Sequence, residues 1–123
     1  MCYPLASKVK LQSITGEPIA IFEIEVMSSG VNVAEGSTAS QSSTFKNKPQ
    51  FEASSAVDGD LSSFSHTDGD SCSWFEVDFE ASVPIESVKI MNRWCGDETD
   101  TQKCLCRLSR VAVSLFDGDE VRE

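Results

Sequence analysis

Apolar and polar residues alternate along several short segments of the chain. In AIFEIEV (20–26) the apolar residues Phe22, Ile24 and Val26 alternate with glutamates, and WFEVDF (74–79) repeats the pattern. A period of two places one set of side chains on each face of a β-strand. We predict further strands of this kind at VKLQSI (9–14), VPIESVKIM (83–91) and LSRVAVSLF (108–116).

Turn-forming residues separate these strands, and helical periodicity is hard to find. Pro84 favours the start of a strand, where its missing N–H does least harm to the ladder. Several short strands joined by polar turns predict an all-β fold, an antiparallel sandwich or barrel. The Ser/Thr-rich segment 36–55 has the composition of a linker, but Phe45 and Phe51 favour a segment that packs on the domain.

The chain has 123 residues, of which 40% are apolar, and this predicts a single domain over residues 1–123. No apolar run approaches the roughly 18 residues that a membrane-spanning helix needs. The start, MCYPLASKVK, is too short and too polar for a signal peptide. We therefore expect any secretion signal to have been removed or to lie upstream in a longer parent protein.

The formal net charge is −10, from ten basic and twenty acidic residues. This balance opposes binding to nucleic acids and to anionic membranes, because both depend on basic surfaces. It is compatible with a hard cation such as calcium, which prefers carboxylate and carbonyl oxygens.

Five cysteines are many for a chain of this length and are typical of small extracellular domains. The odd number leaves at least one thiol free or paired between chains, and Cys2 is the candidate. The other four allow a zinc site, a nucleophile or disulfides. Their spacing lacks a C-x2-C knuckle and no partner orients a nucleophile, so disulfides are favoured. Cys95 paired with Cys104 or Cys106, and Cys72 paired with the other, would tie their loop at both ends.

Five segments follow one another in a characteristic order: NVAEGSTASQSS (32–43), ASSAVDGDLSSFSHT (53–67), SWFEVDF (73–79), PIESVKIMNRW (84–94) and CRLSRVAVSLFD (106–117). Together they resemble the fucolectin branch of the discoidin-like domains, also called coagulation-factor type C or galactose-binding-like domains. The resemblance covers residues 32–117. It implies a β-sandwich jelly roll that binds sugars at loops on one end, usually beside a structural calcium.

Residues 8–27 resemble the C-terminal strands of such a domain rather than its start. Either the domain is circularly permuted, or the chain is cut from a tandem array and residues 1–27 belong to a preceding copy. We expect residues 8–27 to complete the sheets of this domain, because AIFEIEV alone would be an unpaired edge.

The resemblance also implies a calcium site, centred on SSAVDGDLSS (54–63). Carboxylates would come from Asp58 and Glu23, and the remaining oxygens mainly from backbone carbonyls and a serine. Calcium binds six to eight oxygens, and Gly59 lets the backbone turn sharply enough to aim them. The alternative is that DGD is only a turn and Glu23 a solvent-facing strand residue. The implied ligands are Phe22, Glu23, Ser55, Asp58, Asp60 and Ser63, with Ser62 as an alternative to Ser63.

For the sugar site the resemblance implies His66, the single histidine, together with Arg93 and Arg107. A guanidinium group donates to two adjacent hydroxyls at fixed geometry, although surface ion pairs are the alternative for both arginines. The loop between the arginines is longer than in the typical fucose binder. The adjacent cysteine pair that lies against the sugar in the family is replaced by Cys-Leu-Cys, so Trp94 is the candidate stacking face.

The sequence therefore predicts a calcium-supported carbohydrate-binding module for a fucose- or galactose-like sugar. We expect it outside the cell or on the cell surface, within a larger multidomain or multivalent protein. The alternative is a non-catalytic protein-interaction or adhesion domain of the discoidin type. No catalytic constellation is recognisable, so we do not expect an enzyme, although an accessory module of one fits.

Overall fold

The computed structural model describes residues 3–14, 18–60, 62–68, 72–92, 111–117 and 120–122. These residues form nine strands and three short 3-10 turns, and two antiparallel sheets contain the strands. The strands are β1 (Leu5–Ser13), β2 (Ala20–Ser28), β3 (Val31–Asn32), β4 (Thr38–Gln41), β5 (Ser65–His66), β6 (Trp74–Pro84), β7 (Ser87–Asn92), β8 (Val111–Asp117) and β9 (Glu120–Arg122). The described part of the chain has no helix that could cross a membrane.

The larger sheet has five strands in the order β4-β6-β1-β8-β9. Its middle strand, β1, pairs with β6 on one side and with β8 on the other. Val9 lies opposite Val77 and Leu11 opposite Phe75, and all four side chains are fully buried. The period-two alternation of these strands therefore directs one face into the core and leaves the polar face outside.

The smaller sheet is built around β2. Strand β7 pairs along one edge of β2. On the opposite edge, β5 pairs with Ala20 and Ile21, and β3 pairs with Met27 and Ser28. Between these two pairings, Glu23 of β2 accepts the N–H of Gly59, from the loop that precedes β5.

The two sheets share one apolar core, to which β2 contributes the fully buried Ile21, Ile24 and Val26. Burying a side chain of this size contributes about 1.5–3 kcal/mol. The predicted all-β antiparallel sandwich is confirmed. Residues 8–27 provide strands to both sheets, as expected, while the circular permutation itself stays a prediction.

The predicted strand 83–91 is wrong as a single element. Strand β6 continues to Pro84, and β7 begins at Ser87. Between them, Ile85 donates its N–H to the carbonyl oxygen of Pro4 at 2.9 Å, and the chain passes from one sheet to the other. The apolar pattern runs on through this crossing because Ile85 is itself buried.

The Ser/Thr-rich segment 36–55 packs on the domain, as Phe45 and Phe51 predicted, and is not a linker. Strand β4 pairs with β6, and the 3-10 turns follow it at residues 45–47, 49–51 and 53–56. Phe45 and Phe51 contact each other with ring centroids 5.7 Å apart, and Ala53 and Ala56 belong to the core.

Candidate functional site

Oxygen atoms converge in the loop that precedes β5. The Ser63 hydroxyl lies 2.6 Å from Asp58 Oδ2. It also lies 3.1 Å from the carbonyl oxygen of Asp60 and 3.3 Å from that of Ser55. A hydroxyl has one proton to donate, so it does not satisfy three acceptors at once. We call these four residues and Glu23 the oxygen cluster.

Glu23 lies on β2 and is only 3% exposed, which is rare for a carboxylate. Its Oε2 accepts the N–H of Gly59 at 3.0 Å, while its Oε1 is buried without a hydrogen-bond partner among the described residues. Burial is the main cause that raises the pKa of this carboxyl from 4.5 to about 7. The Gly59 hydrogen bond opposes that rise, and the negative charges of Asp58 and Glu35 add to it. The unpaired buried oxygen is a position that a cation would satisfy.

Phe22 lies at a bulge in β2. Between Ile21 and Glu23 the pairing advances two residues on β2 but one residue on β7, from Asn92 to Met91. A bulge leaves its extra residue outside the ladder. Phe22 is this extra residue, and it directly precedes Glu23 on the strand.

Gly59 turns the loop with a φ of +74°, and a Cβ there would lie 2.5 Å from Glu35 Oε1. The carboxylate of the next residue, Asp60, folds back onto the chain. Its Oδ1 accepts the N–H and the hydroxyl of Ser62 at 2.8 and 2.6 Å, and these hydrogen bonds lower the pKa of Asp60. Asp60 thus faces the cluster with its carbonyl, and Ser63 rather than Ser62 is the serine of the oxygen cluster.

Among the described residues, no three His, Cys, Asp or Glu side chains are placed to hold a metal ion together. Of the three acidic residues in the oxygen cluster, Glu23 and Asp58 offer carboxylates, whereas the Asp60 carboxylate binds Ser62 and only its carbonyl faces the cluster. The other oxygens are the Ser55 carbonyl and the Ser63 hydroxyl. Calcium accepts these neutral oxygens, whereas zinc sites use cysteine, histidine and carboxylate side chains. The donor set therefore fits calcium better than zinc.

Four phenylalanines and the single histidine form an aromatic cluster. Neighbouring ring centroids are 4.4 to 6.3 Å apart, in tilted and T-shaped arrangements. The four phenylalanine residues are half-buried. The members of this aromatic cluster are Phe22, Phe45, Phe51, Phe64 and His66.

His66 lies on β5 and is 5% exposed. Its nearest ring is Phe45, with centroids 4.4 Å apart and a tilt of 35°. Its Nδ1 lies 2.6 Å from the carbonyl oxygen of Thr67, which only accepts hydrogen bonds, so Nδ1 carries the proton. In the neutral ring Nε2 is then an acceptor.

Gln41, at the end of β4, connects the parts of this region. Its Nε2 lies 2.9 Å from the Phe51 carbonyl oxygen, 3.1 Å from the Thr44 hydroxyl and 3.5 Å from the His66 carbonyl oxygen. Its Oε1 is buried and has no partner within the part of the chain that the structure describes. Gln41 therefore holds the 3-10 turns against β5.

The sequence alone identifies His66 but not its neighbours. The signal for Phe45, Phe51 and Phe64 is the concentration of three aromatic rings in the otherwise polar segment 42–66. Gln41 has no such signal, because its role depends on how three separate backbone segments meet.

Six predicted site residues lie outside the described residues, and their roles in sugar binding and in disulfides stay predictions: Arg93, Trp94, Cys95, Cys104, Cys106 and Arg107. Cys72 lies within the described residues, between β5 and β6, and carries an exposed free thiol. The disulfide predicted for Cys72 is therefore not formed here. Its side chain faces solvent, and it is the one cysteine that the described ranges include.

A family model for a NedA-like, galactose-binding domain matches residues 55–119, which is more than half of the chain. The match begins at Ser55 in the oxygen cluster and includes His66. No curated protein and no solved structure gives a significant match. The resemblance to galactose-binding-like, discoidin-type domains is confirmed, and the chain belongs to the family of NedA-like, galactose-binding domains.

Proposed function

We propose that this domain is a non-catalytic carbohydrate-binding module that holds a sugar at its aromatic cluster. The observation that carries the proposal is His66, a polar ring fixed among Phe45, Phe51 and Phe64. Sugars present apolar C–H faces and hydroxyl groups side by side. Half-buried phenylalanines packed around a polar imidazole ring match both kinds of surface.

Each part of the cluster has a separate task. The hydrogen bond from Nδ1 to the Thr67 carbonyl holds the His66 ring in place before a ligand arrives, which lowers the entropy cost of binding. The exposed parts of the rings contact the apolar face of the sugar. Arg93 and Arg107 complete the site by donating hydrogen bonds to the sugar hydroxyls, and Trp94 is a further stacking face.

The oxygen cluster holds a calcium ion in this proposal. Glu23 and Asp58 supply carboxylate oxygens, Ser63 a hydroxyl, and Phe22, Ser55 and Asp60 carbonyl oxygens. The buried Oε1 of Glu23, which has no partner among the described residues, supports this assignment. Bound calcium would neutralise the negative charges of the two carboxylates and fix the conformation of the loop that leads to His66.

Glycan binding with and without chelator tests this function. The comparison uses the parent protein, His66→Ala and, for the expected donor, Arg107→Ala. Lys89→Ala, an exposed lysine on β7, serves as the control. We expect binding by the parent and by the control, and weakened binding by both site variants. A parent that binds no glycan would contradict the function, and unchanged binding by His66→Ala would contradict the site.

The domain is proposed to act outside the cell, within a larger or multivalent protein, because single shallow sugar sites bind weakly and gain from repetition. The five cysteines support an oxidising environment. A thiol titration of the folded, secreted protein measures how many cysteines are bridged. Five reactive thiols would contradict disulfide bracing of the loop around Cys104.

A further inference from the structure

Lys46 has an uncommon backbone conformation at the edge of the aromatic cluster. Its φ and ψ are 53° and 23°, and Asn47 follows with a φ of 54°. Two consecutive non-glycine residues in the left-handed region cost free energy, and for lysine such a conformation is uncommon. The turn is held by the N–H of Asn47, which donates to the Thr44 carbonyl at 2.8 Å.

This conformation puts a positive charge next to the proposed sugar site. Lys46 Nζ lies 5.2 Å from the centroid of the Phe45 ring, and that ring lies 4.4 Å from His66. A lysine ammonium over an aromatic face is attracted to the ring, so its position is restricted. Lys48, two residues later, is also exposed.

The lysines keep their charge available for a ligand. No carboxylate of the described residues forms an ion pair with either ammonium group, although the chain as a whole carries a charge of −10. Asp68 is an acidic residue that contacts this turn. Its Oδ1 accepts the backbone N–H of Lys46 at 3.4 Å and does not form an ion pair with Nζ. Glu52, directly after the second 3-10 turn, is exposed.

We infer that the sugar bound beside His66 carries an acidic substituent, a carboxylate or a sulfate, which Lys46 binds with help from Lys48. This inference rests on the proposed carbohydrate-binding function and names the class of glycan. An ammonium group is a compact, strongly hydrated charge, and an anion uses it better than a neutral hydroxyl does. In an acidic protein, a local cation at the site also offsets the repulsion that an anionic glycan meets elsewhere.

Titration calorimetry of the parent with galactose, galacturonic acid and a galactose sulfate tests the inference. The two acidic sugars separate a carboxylate from a sulfate ligand. We expect at least one of them to bind more tightly than galactose, with an advantage that shrinks at high salt. Lys46→Met keeps the length of the side chain and should weaken binding of the acidic sugar about two- to five-fold, as for an exposed ion pair, and leave galactose unchanged. Lys89→Met is the matched control.

Asp68→Asn should change the affinity for the acidic sugar in the opposite direction to Lys46→Met. It keeps the oxygen that accepts the Lys46 N–H but removes a negative charge, so the acidic sugar should bind more tightly. Galactose binding with no preference for either acidic sugar would overturn the inference and leave the proposed function intact. Equal losses for neutral and acidic sugars in Lys46→Met would also overturn it, since the lysine would then act on the shape of the loop. Failure of all three sugars to bind contradicts the proposed function itself, and the inference with it.

Discussion

Replacing Glu23 by glutamine tests whether the buried carboxyl group is a cation ligand. Burial raises the pKa of Glu23 from 4.5 to about 7, which corresponds to about 3 kcal/mol of folding free energy lost when the group ionises in both states. Below pH 4.5 the carboxyl keeps its proton in the folded and the unfolded chain, and the loss is absent. As the pH rises from 4.5 to about 7 the unfolded chain ionises first, so the folded protein loses stability, and above that pH the loss is complete.

Glu23→Gln removes the charge and keeps an oxygen for the N–H of Gly59. With a chelator present at about pH 8, we expect the variant to be more stable than the parent by up to about 3 kcal/mol, or roughly 10 °C in Tm. At about pH 4 the two proteins should have similar stability. Saturating calcium should reverse the order at the higher pH, because the neutral amide is a weaker ligand than the carboxylate.

Urea unfolding of parent and variant at both pH values, with calcium and with chelator, measures these free energies. Glu25→Gln, on the same strand, is the control for the loss of one negative charge. A stability difference that does not change with pH would refute burial as the cause of the raised pKa. Equal stabilisation of parent and variant by calcium would refute Glu23 as a ligand.

Three further substitutions test contacts around the site by urea unfolding. Gly59→Ala should cost about 1 kcal/mol or more, because alanine is strained at a φ of +74° and its Cβ meets the carboxylate of Glu35; an equally stable variant would contradict the turn. Asn32→Ala should lower the free energy of unfolding by about 1–3 kcal/mol, because Asn32 Oδ1 accepts two backbone N–H groups at 3.0 and 3.1 Å. Asn32→Asp keeps an accepting oxygen and should retain most of that stability. Thr67→Val has a similar side-chain volume but removes the oxygen that accepts the buried N–H of Ile19 at 2.8 Å, so the free energy of unfolding should fall by about 1–3 kcal/mol. Thr67→Ser should lower it less. An unchanged free energy of unfolding in Thr67→Val would show that the hydroxyl contributes nothing to stability.

The strands that carry the core can be predicted from the sequence because their burial alternates. β1 and β6 each bury one face, and the period of two appears directly in residues 74–79. In β2 the bulge at Phe22 shifts the alternation, so Ile21 rather than Phe22 joins Ile24 in the core, and Glu23 is buried as well. β3 and β5 have two residues each, which is too short for a period to appear. The crossing at Ile85 cannot be predicted for another reason. Because Ile85 is buried, its link between the two strands has the same apolar pattern as a strand.

Some residues of the candidate site can likewise be predicted from the sequence, and others cannot. Asp58 and His66 are identified through a family motif, yet the burial of Glu23 follows from a loop some 36 positions later in the chain that folds over β2. Alternation alone predicts a solvent-facing Glu23, because a pattern of two does not record what covers the polar face of a strand. Gln41 is hidden for a similar reason, since its three acceptors come from separate segments.

Two short stretches of backbone connect the oxygen cluster with the aromatic cluster. Ser63 directly precedes Phe64, whose ring packs edge-on against Phe22 with centroids 5.6 Å apart, and Phe22 directly precedes Glu23. An ion that holds Glu23 and Ser63 therefore also holds two of the rings in the cluster around His66. We expect chelation to weaken sugar binding although it removes no atom that contacts the sugar, and Ser63→Ala to do the same to a smaller extent. Calorimetric titration with sugar in calcium and in chelator measures the coupling. The same affinity in both would show that the two clusters act independently.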